Sequence, residues 1–267
     1  MLSSEQRREF AVNGYLVVPD LVPRSSAAAM LIAARAFAKE KLAEKADIES
    51  PTARYEKYIV YNALQVPIIG EILEIPLFIE LACGLLGRSH FKYNGDALIS
   101  LPSGEDISIW HRDPIFSLMD TQQTTDPVED RVHLDAISRQ HSSDALSHES
   151  LVHANLCRLQ LTVSIHLHDV NEESGPLRVL PGSHRWEQRH SNVQTPCVFD
   201  QRPQDGEKYL TGSQGTVVFH ESALWHTASP NRSDHDCQML LIDVVPKLPY
   251  EELRRKKLID SRYFWLS

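Results

Sequence analysis

The sequence has few cysteines, and the four it has, Cys83, Cys157, Cys197 and Cys237, form no CxxC pair. That argues against a zinc knuckle and against a disulfide framework, and it points to a reducing compartment. Long apolar runs are also missing. None approaches the roughly 20 residues of a membrane span, and the opening MLSSEQRREF is polar where a secretory leader carries an apolar core. A cytoplasmic protein is expected. Excess positive charge is lacking as well: the 267 residues carry a net charge of -9, which argues against a nucleic-acid or anionic-membrane partner. The one basic cluster, RRKK at 254–257, reads as the solvated face of a terminal helix. With no internal repeat and no clean linker, residues 1–267 read as a single domain.

An apolar content of 42% beside 24% charged residues is ordinary for a folded chain that buries a sizeable core. Residues 3–13 read as a short helix, with Ser3 and Gln6 as a capping box and Asn13-Gly14 as the stop. YLVV at 15–18 is a strand ended by Pro19. From Ser25 to about Lys45, apolar residues recur at Met30/Leu31, Ala34, Phe37/Ala38 and Leu42, the period of an amphipathic helix. A second helix is expected over Gly70 to Leu86, with Gly87 at its end. Beyond residue 88 the chain turns to short β-like runs: HFKYNGDALIS, ISIWHRDPIF, CRLQLTVSIHLHDV, LRVLPGSH, GTVVFHESALWHT and CQMLLIDVVP. Helices followed by many short strands predict an α+β, mainly β chain with an antiparallel sandwich or barrel core. The polar, histidine-dotted segment 117–154 has no strand pattern. It reads either as a lid or insertion loop over a site or as a disordered surface loop.

Chemistry enters with SIWHRDPIF at 108–116. In a strand, Ile107, Ile109, His111 and Asp113 share one face. An imidazole and a carboxylate buried there without partners would lose roughly 2 kcal/mol or more each. The partner is an internal salt bridge or hydrogen bond, or it is a metal ion. The metal needs a third ligand, and His226 in GTVVFHESALWHTASPN supplies one, before the strand breaks at Pro230-Asn231. Two histidines and one carboxylate on a β scaffold make the facial triad of non-haem Fe(II) oxygenases.

Four segments in order resemble the phytanoyl-CoA dioxygenase family of Fe(II)/2-oxoglutarate-dependent oxygenases: FAVNGYLVVPDLVP, WHRD, LHDVNEESGPLRVLPGSHR and GTVVFHESALWHTASPNRS. The resemblance implies a double-stranded β-helix, a jelly-roll or cupin-like core with the N-terminal helices packed on one sheet. It implies that His111, Asp113 and His226 are the catalytic iron ligands and that Fe(II) and 2-oxoglutarate are the cofactors. It further implies a dioxygenase that acts on a small-molecule substrate with O2, oxidising the co-substrate to succinate and CO2. Relatives that halogenate replace the carboxylate ligand with a small residue, so Asp113 points to hydroxylation, desaturation or ring formation.

One departure stands out. The family's arginine for the far carboxylate of 2-oxoglutarate lies about eleven residues after the distal histidine, and here that count reaches Cys237, followed by Gln238. Neither makes a bidentate charged pair. The candidate co-substrate residues are therefore Arg158, near the start of CRLQLTVSIHLHDV, Arg232, in the turn after His226, and Gln238. Arg178 reads as structural. Without its anchor, the chain also fits a metal-dependent isomerase or oxidase that does not use 2-oxoglutarate, or a non-catalytic family member. His166, His168 and Glu172 form an alternative, cupin-like set. His184 is expected to order a turn. His133, His141, His148, His153, His190, His220 and His235 read as surface or loop residues. Trp110 and Trp225 are expected to point away from the ligands and pack against the helical layer. Arg112 and the 117–154 segment are where substrate contacts are expected.

Overall fold

The computed structural model describes residues 2–43, 57–87, 91–111, 160–185, 205–222 and 224–246. Helix α1, Ser4–Asn13, begins with the capping box: Ser3 Oγ accepts from the Gln6 N–H, and Gln6 Oε1 accepts from the Ser3 N–H. It stops where Gly14 takes φ +82° and returns its N–H to the Phe10 carbonyl. Strand β1, Tyr15–Val18, follows, and then helix α2, Arg24–Ala43, which buries Ala27, Met30, Ala34 and Ala38 along one stripe.

The expected helix over 70–86 is two pieces. Short helix α3, Pro67–Gly70, runs into a 3₁₀ turn at Glu71–Glu74, and helix α4, Pro76–Leu86, begins afresh. Pro76 is the reason, because it lacks an N–H and drives the preceding Ile75 into extended backbone at ψ 116°. Gly87, at φ +65°, ends α4 as expected.

The remaining strands are β2 (Ile59–Tyr61), β3 (Phe91–Leu101), β4 (Leu161–His166), β5 (Leu177–Val179), β6 (Lys208–Leu210), β7 (Val217–Glu221), β8 (His226–Ala228) and β9 (Cys237–Pro246). They form two antiparallel sheets, one ordered β1-β7-β4-β9-β3-β2 and the other β6-β5-β8. Period-two alternation divides the large sheet. Leu161, Val163 and Ile165 of β4, Val217 and Phe219 of β7, and Leu240, Ile242 and Val244 of β9 join the helices in one core. There Phe78 of α4 lies 5.7 Å from the Phe219 ring. The alternate residues, such as Thr162, His166, His220 and Met239, line a cavity on the opposite face. The small sheet contributes Leu177, His226 and Ala228 to the same cavity. This is the jelly-roll architecture with the helices on one sheet.

Candidate active site

The two sheets enclose a cavity of about 240 Å³. Residues 107–111 reach it, and His111 bridges to β8 opposite His226. The two residues exchange both backbone hydrogen bonds, each 3.0 Å. Directly opposed residues of an antiparallel pair project from the same side, which brings the two imidazoles to 4.2 Å between centroids. The Nδ1–H of His111 donates to the Ile109 carbonyl at 2.7 Å, and that of His226 to the Leu224 carbonyl at 2.8 Å. A carbonyl only accepts, so each neutral ring carries its proton on Nδ1 and its lone pair on Nε2. That is the tautomer a metal ligand needs, held by the backbone bond that usually supports one. The pair therefore fits a divalent iron.

The alternation expected around His111 is present, for Ile107, Ile109 and His111 all line the cavity. Trp110 and Trp225 do not line the cavity, as expected, but among the described residues they do not join the core under the helical layer. They form a separate cluster with Leu180 behind the small sheet, where Arg178 stacks 5.7 Å from the Trp110 ring. Asp113, Arg112, Arg158 and the 117–154 segment lie outside the described residues, as do His133, His141, His148, His153 and His190.

His220, expected on the surface, is buried at 1% exposure in β7, lines the cavity and lies 4.7 Å from the His226 ring. VVFHE is buried on both faces, so its alternation separates the faces without telling which carries the cavity. The cupin-like set does not assemble: His166 and His168 line the cavity, whereas Glu172 is exposed. His166 is fully buried, and neither ring nitrogen has a hydrogen-bond partner among the described residues. Burial, helped by the nearby His168, pushes its pKa down to about 4. His168 is lowered too, chiefly by burial.

The two described co-substrate candidates, Gln238 and Arg232, lie in different surroundings. Gln238 is buried and lines the cavity, with its carboxamide oxygen accepting from Arg35 Nε at 3.1 Å and its nitrogen donating to Ser100 Oγ at 3.3 Å. Arg232 is exposed and is not part of the cavity wall. Arg178 is structural, as expected, paired to Glu207 at 3.4 Å with both side chains nearly buried. His184 sits in a 3₁₀ turn at Ser183–Arg185, where its Nε2 donates to the Ala11 carbonyl and ties the turn to α1.

The sequence model of the phytanoyl-CoA dioxygenase family matches residues 10–238. No curated protein matches the chain. Several solved structures share the fold at low identity. AviO1 from Streptomyces viridochromogenes is 19% identical over 93% of this chain and 97% of its own, with a TM-score of 0.56. The epimerase SnoN, in complex with Fe3+, alpha ketoglutarate and nogalamycin RO, is 17% identical over 91% of this chain and 82% of its own, with a TM-score of 0.61. EctD from S. alaskensis, with 2-oxoglutarate and 5-hydroxyectoine, is 19% identical over 91% of this chain and 76% of its own, with a TM-score of 0.58. With the family matched over most of its length, the chain belongs to the phytanoyl-CoA dioxygenase family of enzymes that use Fe(II) and 2-oxoglutarate.

Proposed function

We propose that this enzyme hydroxylates an unactivated C–H bond of a small metabolite or natural-product intermediate, with Fe(II) held by His111, His226 and Asp113. The observation that carries the reading is the reciprocal backbone pair that sets two imidazoles, in the ligating tautomer, on the wall of one cavity. Asp113, two residues beyond His111 in the sequence, is the carboxylate that would complete the ligand set. When bound, the iron and the 2-oxo acid supply the O2 activation that removes a hydrogen from the substrate. The chain supplies position and dryness. Ile107, Ile109 and Leu177 exclude water around the ligand pair, and His166 and His168 offer neutral hydrogen-bonding groups. The cavity volume and the small molecules seen with SnoN and EctD favour a metabolite over a polymer as substrate. Cysteines without a pairing motif favour the cytoplasm.

The neutral Cys237-Gln238 pair in place of the family arginine favours a second reading, a metal-dependent isomerase or oxidase whose own substrate chelates the iron. Anaerobic addition of Fe(II) with and without 2-oxoglutarate separates the two. Hydroxylase chemistry predicts a visible metal-to-ligand charge-transfer band that needs both additions and is lost in folded His111→Ala and His226→Ala variants. Tight iron binding with no such band selects the second reading.

A further inference from the structure

The cavity wall carries another group of metal-ligating side chains, which the iron site does not use. Strands β4 and β9 pair with His166 opposite Met239, and His168 follows two residues after the end of β4 while Cys237 opens β9. His235 lies two residues before Cys237, in the turn that leads into β9, with its ring 5.8 Å from that of His168 and edge-on to it. One nitrogen of each imidazole and the Cys237 Sγ lie within 4.8 Å of one another.

The surroundings of the group are those of ligands. The His168 Nδ1–H donates to the Asp169 carbonyl at 2.8 Å, and the His235 Nδ1–H to the Asp234 carboxylate at 2.9 Å. Each bond leaves the lone pair of the neutral ring on Nε2, in the carbonyl–histidine and carboxylate–histidine arrangements that support metal-bound imidazoles. Among the described residues the Cys237 sulfur makes long contacts, 3.6 Å to Ser233 Oγ and 3.9 Å to the His235 carbonyl, which a metal bond replaces readily. The carboxylates of Asp234 and Asp236 lie near these residues, as does Arg35, while the nearby Asp169 carboxylate is already paired to Arg24 at 2.7 Å. His168 and Cys237 are buried, and His235 is half-exposed on its turn and so free to close on an ion.

We infer that His168, His235 and Cys237 form a second cation site, for a borderline-soft divalent ion of the zinc class. Bonds of about 2.0 Å to nitrogen and about 2.3 Å to sulfur space tetrahedral ligands roughly 3.5 Å apart, so the group needs to contract by about 1 Å. Two imidazoles and a thiolate suit zinc, whereas two imidazoles and a carboxylate suit iron, so ligand softness separates the two sites. On binding, the Cys237 thiol gives its proton to solvent and its sulfur bonds the ion, leaving a fourth position open. Because Cys237 stands at the place of the family's arginine, the ion would restore positive charge to that wall. This consequence rests on the oxygenase reading, but the site itself does not.

Cobalt(II) is the probe, because only a thiolate ligand gives an intense near-ultraviolet sulfur-to-cobalt charge-transfer band. Anaerobic titration of the whole chain should produce that band at one equivalent, and zinc(II) should erase it. The band should persist in His226→Ala, where the iron site is broken, and vanish in Cys237→Ser. His235→Ala, at an exposed position that does not threaten the fold, should also abolish it, and Asp234→Asn should weaken cobalt binding by about tenfold. Absence of the band in the parent chain overturns the proposal. So does its survival in Cys237→Ser or His235→Ala, which would assign it to another cysteine or another ligand set.

Discussion

His166 allows a sharp test of what the cavity demands of its lining. Its imidazole is fully buried and has no hydrogen-bond partner among the described residues. A polar group in that position costs a fold about 1–3 kcal/mol. Leucine has a comparable volume and no polar atom, so His166→Leu should stabilise the metal-free protein by that amount at pH 7. For a chain of this size each kcal/mol moves Tm by about 2–4 °C. The pH dependence gives a second reading. The folded-state pKa is depressed to about 4 from 6.5, so between those values the unfolded chain holds a proton on His166 that the folded chain refuses. Stability of the parent therefore falls as the pH drops through this window, by about 3 kcal/mol at its foot. The variant should lack that component, and its advantage should widen towards pH 4. Urea unfolding of both proteins at pH 7 and pH 5 measures each effect, and ligand titration should show weaker binding in the variant where the imidazole contacts the ligand. A variant less stable than its parent at pH 7, with an unchanged pH slope, would mean that the imidazole already holds a structural bond.

Other substitutions probe the frame around the site. Arg178→Met removes the countercharge of the nearly buried Glu207 and the stacking on Trp110, and it should destabilise the fold by about 3 kcal/mol in urea unfolding, with partial recovery in the Arg178→Met/Glu207→Gln double variant. Gly215 has φ +94°, and a Cβ there meets the Val22 carbonyl, backbone against backbone. Gly215→Ala should therefore lose more than about 2 kcal/mol, read as a lower Tm or as loss of soluble protein. Ser3→Ala opens the capping box of α1 and should lose about 1 kcal/mol in the same unfolding assay, with little effect on iron binding.

Where the physics is local, the sequence was readable. Ser3, Gln6 and Gly14 bound α1, Gly87 ends α4, and the alternation at Ile107, Ile109 and His111 placed the proximal histidine on the cavity face. Pro76 divides the helix expected over Gly70 to Leu86, because proline both breaks a helix interior and begins a new helix, and only the turn before it decides which. Strands β2 and β6, with three residues each, are too short for a period to register. Trp110 and Trp225 leave the cavity face as alternation predicts but cluster with Leu180, since alternation tells which side a residue leaves by and not what covers that side. His220 and the His168–His235–Cys237 group escaped for a related reason. Their neighbours come from separate elements, and no spacing along the chain encodes an antiparallel register.

Read as a whole, the cavity poses a charge problem that its histidines do not solve. His111, His166, His168, His220 and His226 all line it, while among the described residues no lysine or arginine does. Burial holds the His166 and His168 pKa values down, so near neutral pH these rings offer hydrogen bonds but no positive charge. A 2-oxo diacid brings two carboxylates, and on the proposed reading a metal at the His111–His226 pair would meet one of them. The far carboxylate would then face the wall that carries Cys237 and Gln238. Among the described residues Arg35 reaches that wall, but its Nε is already committed to the Gln238 carboxamide. Gln238 can pass on only the polarisation of that bond, a weaker pull than a bidentate ion pair. A cation bound between His168, His235 and Cys237 would instead put positive charge beside the carboxylate. The loss of one arginine and the gathering of two imidazoles and a thiol at the same place then become a single change of chemistry.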